Sequence, residues 1–460
     1  MNFKDKNVLI LGMARSGIAA AEKLNSLGAK VLVVDCADNR SLRLKATELQ
    51  QQGISTHIGS QPPSYAEDKE LIVISPGVPS DISLFKRARE LEVPIWSEVE
   101  LAYRLAGPSP FIVGITGTNG KTTTATLIGE MYKKSFPTVV GGNIGNPLVS
   151  NLENVSSDTK FVVELSSFQL ENIVKFRPRI SILLNITDDH LDRYADIDDY
   201  AEAKGRIFLN QTKEDYAILN YDDPITRNFA SSIKGKVIPF SKSNEFDTGI
   251  FIKSGKIFFN SKGISKEICG VDKLKIKGEH NLDNAMAAVA ASLIGGVPLD
   301  FARETLFNFK GLKHRVEYVA TIDGIEFYND SKATNPDAVI KALTAFDKPI
   351  ILLAGGRNKK NSFQSVAEAS KDKVKAAIVF GEAANEIKSS FINLNIPVKG
   401  SPSLADAVMM AFETSKVGDV VLLSPACASF DMFSNYKERG EAFKKVVLKI
   451  KEDAYGSKKN

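Results

Sequence analysis

The sequence predicts an α/β protein of three domains, and three observations support this. The chain has 460 residues, which is too long for one ordinary hydrophobic core. Short apolar runs alternate with stretches of helical spacing, a pattern typical of parallel sheets covered by helices on both faces. A linker with two prolines and a glycine, residues 107–110, separates the first alternating region from the next. We expect domains at residues 1–106, 107–310 and 311–460.

Composition argues against several classes of protein. The chain has 59 basic and 55 acidic residues, a balance that does not favour nucleic acid or membranes as partners. Its three cysteines, Cys36, Cys269 and Cys427, are far apart and form no CxxC pair, so neither a disulfide framework nor a zinc site is expected. The start of the chain has no signal-peptide pattern, and no apolar stretch approaches membrane-spanning length. We expect a cytoplasmic, monomeric protein.

In the first domain, an apolar strand at residues 8–11 leads into a glycine-rich turn at residues 12–17 and then into a helix. The pattern resembles a dinucleotide-binding Rossmann fingerprint, with Asp35 at the end of the next strand placed to hold a ribose hydroxyl. Ala14 replaces the second glycine, which lets backbone approach a pyrophosphate closely. This favours a nucleotide held in another way, and a purely structural turn remains the alternative.

The second domain opens with a glycine-rich loop, residues 114–123. An apolar run enters this loop and a stretch of helical spacing leaves it, so its backbone N–H groups and a helix N-terminus can converge on a phosphate. Lys121 can reach the outer phosphates, and the Thr122 hydroxyl can bind a magnesium ion that bridges them. Ile115 stands where the strict phosphate-loop motif has its first glycine. An ordinary glycine turn is therefore the alternative.

Polar side chains follow two later strands of this domain. The strand at residues 161–163 ends at Glu164, and the strand at residues 180–186 is followed by Asp188, Asp189 and His190. Ligands of parallel sheets lie at the carboxyl ends of strands, so these groups are candidate magnesium ligands beside the phosphates. The alternatives are a helix-start carboxylate for Glu164, a helix cap for Asp188 or Asp189, and a structural histidine.

Two further features of the second domain are ambiguous from the residues alone. Lys204 lies in a helical pattern at residues 199–209, where its spacing predicts a charge facing solvent. Asn281 and Asn284 lie one turn apart at a predicted helix start. They suit hydrogen bonds to a polar ring such as adenine, and helix capping is the alternative.

The third domain again alternates strands and helices. Loops at residues 329–336, 355–360 and 424–429 each follow a strand directly. Together these loops could form a polar rim with cations for a carboxylate or phosphate. Cys427 has no neighbour in the sequence that indicates a catalytic nucleophile, so we expect it to be a small buried thiol.

Several separated motifs resemble those of the Mur ligase family. They are, in this order, Gly-Ile-Thr-Gly-Thr-Asn-Gly-Lys-Thr, Glu-Leu-Ser-Ser-Phe-Gln-Leu, Asp-Asp-His-Leu-Asp, Gly-Glu-His-Asn-x-x-Asn and Leu-x-His-Arg. Residues 329–336 and 424–433 resemble the branch that adds D-glutamate to the peptidoglycan precursor. The resemblance implies a Rossmann-like domain for the UDP-linked substrate, a central phosphate-loop ATPase domain with a mostly parallel sheet, and a Rossmann-like domain for the amino acid.

The resemblance also implies a reaction. ATP phosphorylates the carboxylate of UDP-N-acetylmuramoyl-L-alanine, and the amine of D-glutamate then attacks the acyl phosphate to form an amide. Because anions must approach one another, the site needs cations, namely two magnesium ions with Lys121 and Lys332.

Residue roles follow from the same resemblance, position by position. The implied catalytic residues are Lys121, His190, Lys204 and Lys332. The implied contacts to ATP are Gly117, Thr118, Asn119, Gly120, Lys121, Thr122, Thr123, Asn281, Asn284, Arg315 and Asp330. The implied metal ligands are Thr122, Glu164, His190 and Lys204, the last as a carbamate.

Substrate contacts are also implied, and all of them except Asn143 lie in the outer domains. The UDP-linked substrate would contact Arg15, Ser16, Asp35, Cys36, Ser75 and Asn143. D-Glutamate would contact Thr334, Lys359, Ser429 and Tyr436. Two departures stand out, because Tyr436 occupies a position where the family has phenylalanine, and the loop around Lys359 differs in length and composition, so that Lys360 could take its place.

Three other functions stay open at this point. One is a different ligase of the same superfamily, such as another Mur ligase or a folylpolyglutamate synthase. Another is an NAD-dependent oxidoreductase, based on the glycine turn and Asp35. The third is a nucleotide-binding regulator without catalytic activity.

Overall fold

The computed structural model describes residues 1–79, 81–153, 155–187, 189, 193–276, 278–358 and 361–456. Within these residues the strands form three sheets, each at least partly parallel and flanked by helices. The predicted α/β class with three domains is therefore confirmed. The predicted domain boundaries at residues 106/107 and 310/311 stay predictions.

The first sheet has the strand order β3-β2-β1-β4-β5, and all its strand pairs are parallel. Its strands are β1 (Asn7–Leu11), β2 (Lys30–Asp35), β3 (Ser55–Ile58), β4 (Leu71–Ile74) and β5 (Ile95–Ser97). Its helices are α1 (Arg15–Ser26), α2 (Arg40–Gln51), α3 (Ser83–Glu90) and α4 (Glu98–Leu105). This is a Rossmann-type order, in which the chain changes direction between β1 and β4, so the crevice beside the turn after β1 is suited to a ligand.

The second sheet has the order β14-β13-β12-β11-β10-β9-β6-β8-β7 and is parallel from β7 through β12. Its strands are β6 (Phe111–Thr116), β7 (Thr138–Gly142), β8 (Lys160–Glu164), β9 (Ile180–Leu183), β10 (Tyr216–Asn220), β11 (Lys236–Ser241), β12 (Gly249–Lys253), β13 (Lys256–Ser261) and β14 (Ile264–Gly270). Its helices are α5 (Lys121–Lys133), α6 (Ser167–Glu171), α7 (Ile197–Gly205), α8 (Pro224–Asn228), α9 (Glu279–Ile294) and α10 (Leu299–Asn308), with a 3₁₀ helix at Leu148–Asn151. The parallel part places β6, β8 and β9 side by side, so their carboxyl ends meet at one edge.

One strand of this sheet is shorter than the sequence predicts. The apolar run 180–186 was expected to be a strand throughout, but β9 ends at Leu183. Beyond that residue the chain turns to the glycine-rich loop, where Asn185 and Thr187 exchange hydrogen bonds with loop residues. Those bonds replace the strand ladder, and the apolar pattern alone does not reveal this.

The third sheet has the order β15-β16-β20-β17-β18-β19 and is parallel except for the edge pair β15–β16. Its strands are β15 (Glu317–Ile322), β16 (Ile325–Asn329), β17 (Ile350–Gly355), β18 (Val374–Phe380), β19 (Val398–Gly400) and β20 (Val420–Leu423). Its helices are α11 (Pro336–Leu343), α12 (Gln364–Ser370), α13 (Ala384–Ile392), α14 (Leu404–Thr414) and α15 (Tyr436–Gly456). Successive residues of β17 belong to different apolar clusters, so both faces of the sheet are buried.

The chain divides into two compact units. One contains Met1–Leu274 and His280–Phe307, and the other contains Lys275–Glu279 together with Asn308 and the residues after it. In the first unit, Leu24 and Leu101 from the first domain share an apolar cluster with Leu148 and Leu170 from the central one. The first two sheets therefore pack on a common core.

The burial of Cys427 agrees with the sequence analysis. All three cysteines are free thiols, and Cys427 is buried as expected. Burial raises the pKa of its thiol to about 12, which suits a packing role. Among the described residues, none of the helices combines the length and the apolar character needed to cross a bilayer.

Candidate active site

The glycine-rich loop lies between β6 and α5, as predicted. Gly117 and Gly120 have backbone φ angles of 143° and 85°, which residues with an L side chain rarely adopt. A Cβ atom on Gly120 would also overlap the Oδ1 atom of Asn284. The loop therefore depends on glycine at this position, and its chain leads directly into the N-terminus of α5.

Asn185, just beyond β9, holds the loop from the neighbouring strand. Its Oδ1 atom accepts the Asn119 N–H at 2.8 Å, its Nδ2 atom donates to the Asn119 carbonyl at 3.2 Å, and its own carbonyl accepts the Thr118 N–H at 2.9 Å. The sequence analysis assigned Asn185 no role. The available signal was a polar residue near the end of an apolar strand beside a phosphate loop.

Lys121 and Thr122 open helix α5. The Nζ atom of Lys121 donates to the carbonyls of Gly117 and Thr118, at 2.6 and 2.8 Å. The ammonium group thus lies over the loop that is expected to hold phosphates. Thr122 is half-buried in the first helical turn, where the positive end of the helix dipole favours anions.

Glu164 ends β8 and is 3% exposed. Its Oε1 atom accepts a hydrogen bond from Asn143 Nδ2 at 2.9 Å, while its buried Oε2 atom has no hydrogen-bond partner among the described residues. The cap of the next helix is Ser166, which forms a capping box with Gln169. The interpretation of Glu164 as a helix-start carboxylate is therefore wrong, because α6 begins only at Ser167. A buried carboxylate oxygen without a donor fits a cation.

Lys204 is 1% exposed, so the prediction that it faces solvent is wrong. Helix α7 packs this side chain against the phosphate loop, where Nζ donates to the Gly117 carbonyl at 3.0 Å and lies 4.5 Å from the centre of the Tyr200 ring. Burial, and then the charge of Lys121, lower the pKa of Lys204 to about 6, against smaller opposing effects of Asp189 and Glu164. A buried lysine near two carboxylates is a strong functional candidate.

Some predicted site residues lie outside the described residues. These are His190, with Asp188 beside it, and Lys359, with its possible substitute Lys360. In the part of the chain that the structure describes, no group of three or more His, Cys, Asp or Glu side chains could hold a metal ion. The predicted ligand set is of a different kind, because it combines the Thr122 hydroxyl, Glu164, a modified Lys204 and His190.

The two asparagines of α9 do not cap the helix, because α9 begins at Glu279. Asn284 is buried, accepts the Thr124 hydroxyl at 3.2 Å and donates to Asn281 Oδ1 at 3.1 Å. It therefore joins α9 to α5 directly behind the phosphate loop. The capping alternative is wrong, and Asn281 lies half-buried beside the same loop region.

In the first domain, the predicted substrate contacts surround the turn after β1. Asp35 accepts the N–H groups of Met13 and Ala37, at 2.8 and 3.0 Å. The Ser75 hydroxyl is buried and donates to the Gly12 carbonyl at 2.9 Å. Both side chains therefore fix the turn itself. The remaining contacts lie around the turn at the surface or half-buried, namely Arg15, Ser16 and Cys36.

In the second unit, Asp330 follows β16 and is buried. It accepts the Ser424 hydroxyl at 2.8 Å and the Val316 N–H at 3.2 Å. Burial raises the pKa of this carboxyl to about 7, although these hydrogen bonds and the charge of Arg315 oppose the shift. The structure thus brings Arg315 and Asp330 together, as the implied ATP contacts require.

Two of the implied D-glutamate residues, Thr334 and Ser429, lie on loops of the same unit, and a third, Tyr436, is the first residue of α15. Lys332 Nζ lies 5.7 Å from the centre of the Tyr436 ring. Thr334 is half-buried two residues further along that loop, and Ser429 is buried in the loop after β20. Lys332 and Tyr436 are therefore neighbours, whereas Lys359 lies outside the described residues.

Arg439 connects these loops, although the sequence analysis did not mention it. It is fully buried and donates to the carbonyls of Ser331, Gly355 and Cys427 and to the Ser331 hydroxyl, at 2.9 to 3.3 Å. Burial lowers the pKa of its guanidinium to about 10. Three loops that are distant in sequence are thus joined by one side chain, and no local pattern in α15 signals this.

Three family models match the chain. The "Mur ligase MurD-like, N-terminal domain" matches residues 6–97, the "Mur ligase middle domain" residues 115–292, and the "Mur ligase, glutamate ligase domain" residues 314–427. They follow one another in the order of the three sheets.

Curated relatives match over nearly the whole chain. A UDP-N-acetylmuramoylalanine–D-glutamate ligase of Thermoanaerobacter sp. (strain X514) is 44% identical over 98% of this chain and 100% of its own length. The ligase of the same name from Clostridioides difficile (strain 630) is 41% identical, with the same coverage.

Solved structures resemble the fold. The UDP-N-acetylmuramate–alanine ligase MurC of Thermotoga maritima aligns over 97% of this chain and 100% of its own, with a TM-score of 0.57 and 19% identity. MurF of Acinetobacter baumannii aligns over 98% and 91%, with a TM-score of 0.57 and 16% identity. At these identities the likeness supports the fold alone.

Proposed function

The chain belongs to the Mur ligase family, among the UDP-N-acetylmuramoylalanine–D-glutamate ligases, and from this premise we propose how its residues perform the reaction. The enzyme joins D-glutamate to UDP-N-acetylmuramoyl-L-alanine in an ATP-dependent step of peptidoglycan precursor synthesis. The oxidoreductase and the non-catalytic regulator considered above are wrong, because relatives spanning 98% of the chain are named as ligases.

The reaction is an amide ligation through an acyl phosphate. A carboxylate is a poor electrophile, so the terminal phosphoryl group of ATP is first transferred to the L-alanyl carboxylate. The amine of D-glutamate then attacks the acyl carbon, and the C–O bond to phosphate breaks as the amide forms. Lys121, on the glycine-rich loop, stabilises the charge on the transferred phosphoryl group, and Lys332 is proposed to act on the same group.

ATP is proposed to lie with its phosphates on residues 117–123. Asn281 and Asn284 of α9 lie beside this loop and offer amides to the base. Arg315 and Asp330 of the second unit are proposed to contact the nucleotide, Asp330 through the ribose. The proximity of Asn284 to Gly120 and of Asp330 to Arg315 supports these two pairs.

Magnesium fits the side chains that meet at this edge of the central sheet. The Oε2 atom of Glu164, for which the described part of the chain offers no donor, and the Thr122 hydroxyl would hold one ion, and His190 would hold a second. The ions would neutralise phosphate charge and so lower the barrier to phosphoryl transfer. Asn143, which donates to the other oxygen of Glu164, keeps that carboxylate oriented.

Lys204 is proposed to carry a carbamate. Its Nζ is buried against the phosphate loop, and both Asp189 and Glu164 interact with it electrostatically. Addition of CO2 to the neutral amine would form an N–C bond, release one proton from the nitrogen, and leave a negatively charged carbamate in place of the amine. That group would offer oxygen ligands beside the phosphate loop.

Substrate recognition is assigned mainly to the outer domains, with Asn143 of the central domain as the exception. The uridine nucleotide would lie at the turn after β1, beside Arg15, Ser16, Asp35, Cys36 and Ser75, with Asn143 reaching the muramoyl-alanine part. D-Glutamate would lie beside Thr334, Lys359, Ser429 and Tyr436. A tyrosine at position 436 adds a hydroxyl to this pocket in place of the family's phenylalanine.

The observation that carries the proposal is the convergence of Lys121, Glu164 and Lys204 on one glycine-rich loop. The test is amide formation from UDP-N-acetylmuramoyl-L-alanine and ATP with D-glutamate, L-glutamate and a panel of other amino acids. We expect D-glutamate alone to give rapid product and ADP release. Preference for another amino acid would assign the chain to a different ligase of the family.

A further inference from the structure

Helix α4 of the first domain carries two buried carboxylates, Glu98 and Glu100. Both accept backbone N–H groups from the central domain. Carboxylates are rarely buried so completely unless they are paired or hydrogen-bonded, because desolvation of the charge is costly. The two residues contact different segments, and only one of those segments leads to the active site.

Glu98 binds the start of the 3₁₀ helix at Leu148–Asn151. Its Oε1 atom accepts the Val149 N–H at 2.7 Å, and the Leu148 N–H also interacts with the carboxylate. Pro147, the residue before this helix, provides no side-chain cap. Glu98 therefore caps the helix from another domain, where the first N–H groups would otherwise lack acceptors.

The other end of the same loop is fixed at Glu164. Asn143 donates to Glu164 twice, from its backbone N–H to the carbonyl and from Nδ2 to Oε1, both at 2.9 Å. The chain approaches so closely here that a Cβ atom on Gly142 would overlap the Glu164 carbonyl. Residues 143–149 are thus held at one end by Glu164 and at the other by Glu98.

We infer that Glu98 is a positioning residue for the metal carboxylate: it fixes residues 143–149, and through the Asn143 amide it orients Glu164. The inference rests on the proposed function, because it takes Glu164 as the magnesium ligand. Loss of Glu98 frees the start of the 3₁₀ helix, lets Asn143 shift, and leaves the Glu164 carboxylate free to rotate. Groups that orient a metal ligand in this way typically affect metal affinity by about 10- to 100-fold.

Glu100 provides a matched control on the same helix. It is equally buried and accepts the N–H groups of Val174, Lys175 and Phe176, at 2.8 to 3.0 Å. That turn carries none of the proposed site residues. Replacing Glu100 should therefore destabilise the protein without affecting the metal carboxylate.

The first measurement is amide hydrogen exchange of the full-length protein without ligands. We expect Glu98→Ala to accelerate exchange at residues 142–150, and Glu100→Ala to accelerate it at residues 173–177 instead. Glu98→Gln retains an acceptor for the Val149 N–H, so it should exchange like the wild type. Unchanged exchange at residues 142–150 in Glu98→Ala would refute the inference, whatever the ligase activity.

The second measurement is Mn²⁺ binding to the full-length protein with ADP, followed by electron paramagnetic resonance. We expect binding about tenfold weaker in Glu98→Ala and within about twofold of wild type in Glu100→Ala and Glu98→Gln. In an Asn143→Ala background, Glu98→Ala should weaken Mn²⁺ binding little further, because the hydrogen bond from the Asn143 amide to Glu164 is already lost. Equal losses in Glu98→Ala and Glu100→Ala, or full additivity with Asn143→Ala, would overturn the inference, whereas an inactive wild type would refute the proposed function instead.

Discussion

At the scale of single residues, the site depends on side chains whose surroundings override their usual chemistry. Lys204 is a lysine with almost no contact with water, and Glu98 and Asp330 are carboxyls whose pKa values burial raises to about 7. Each of them lies where a chain segment from elsewhere supplies its hydrogen bonds. Their roles are therefore set by neighbours that are distant in sequence.

The carbamate proposed at Lys204 leads to a prediction. Lys204→Ala should lose ligase activity by more than about 100-fold, because the oxygen ligands of the carbamate are absent. Short-chain carboxylic acids should restore part of the activity by occupying the space left by the side chain. The measurement is ligation rate against acid concentration, with Lys175→Ala, a lysine outside the proposed site, as control. A fully active Lys204→Ala enzyme would contradict the assignment.

Glu98 makes stability depend on pH in a defined direction. Burial raises its pKa from 4.5 to about 7, while the N–H groups of Val149 and Leu148 oppose the shift. The folded state therefore holds this proton more tightly, and the resulting stability is present below pH 4.5 and lost as pH rises through 7.

Glu98→Gln should remove this pH-dependent contribution to stability, because the glutamine amide stays neutral at every pH. Relative to wild type, the free energy of unfolding of the variant should rise by up to about 3 kcal/mol between pH 4.5 and pH 8. Urea denaturation of both proteins across this range measures the difference. A constant difference at all pH values would show that the carboxyl titrates normally.

At the scale of elements, the phosphate loop is held by its neighbours as much as by its own glycines. Asn185 beyond β9 binds three backbone groups of the loop, Asn284 of α9 contacts Gly120, and Lys204 of α7 donates to Gly117. Strand, loop and two helices thus form a single supporting shell. The loop conformation therefore depends on these neighbours as well as on its glycines.

Gly120→Ala tests this packing. The substitution places a methyl group against Asn284 at a φ angle of 85°, so it should cost about 2 to 3 kcal/mol of stability and weaken ATP binding. Gly53→Ala is the matched control, because Gly53 has a φ angle of 82° but open space around its Cβ position. Thermal denaturation and nucleotide titration of both variants measure the effects. Equal losses of stability in the two variants would mean that backbone strain alone, and not the contact with Asn284, explains the effect of Gly120→Ala.

At the scale of the whole molecule, three sheets are arranged in two compact units. The first two sheets share an apolar cluster, and α4 adds Glu98 and Glu100 as polar links between them. The third sheet has apolar clusters of its own on both faces. We therefore expect each compact unit, and not each of the three sheets, to fold independently.

Separate expression of fragments tests this expectation. Residues 308–456 should fold alone with a cooperative thermal transition, because their core is complete. Residues 1–106 should be much less stable alone, since Leu101 and the two carboxylates of α4 lose their partners in the central domain. Circular dichroism of both fragments measures the difference. A first fragment as stable as the second would contradict the shared core.

Much of the fold was predictable because its strands and the phosphate loop follow from local sequence patterns. Buried parallel strands produce apolar runs, and the glycine loop followed by Lys121 and Thr122 predicted a phosphate site before helix α5. The error at the end of β9 arose because Asn185 and Thr187 bond to the loop instead of a strand neighbour. The capping alternative for Asn281 and Asn284 was wrong because α9 already begins at Glu279, before both residues.

The sequence by itself determined the α/β class, the position of the phosphate loop and the positions of most strands, since backbone periodicity and glycine geometry are local properties. Only the tertiary structure decided that Lys204 is buried, that Glu98 caps a helix in another domain and that Arg439 joins three loops. Burial and hydrogen bonding depend on which distant segments pack against a side chain, and spacing along the chain does not encode that information.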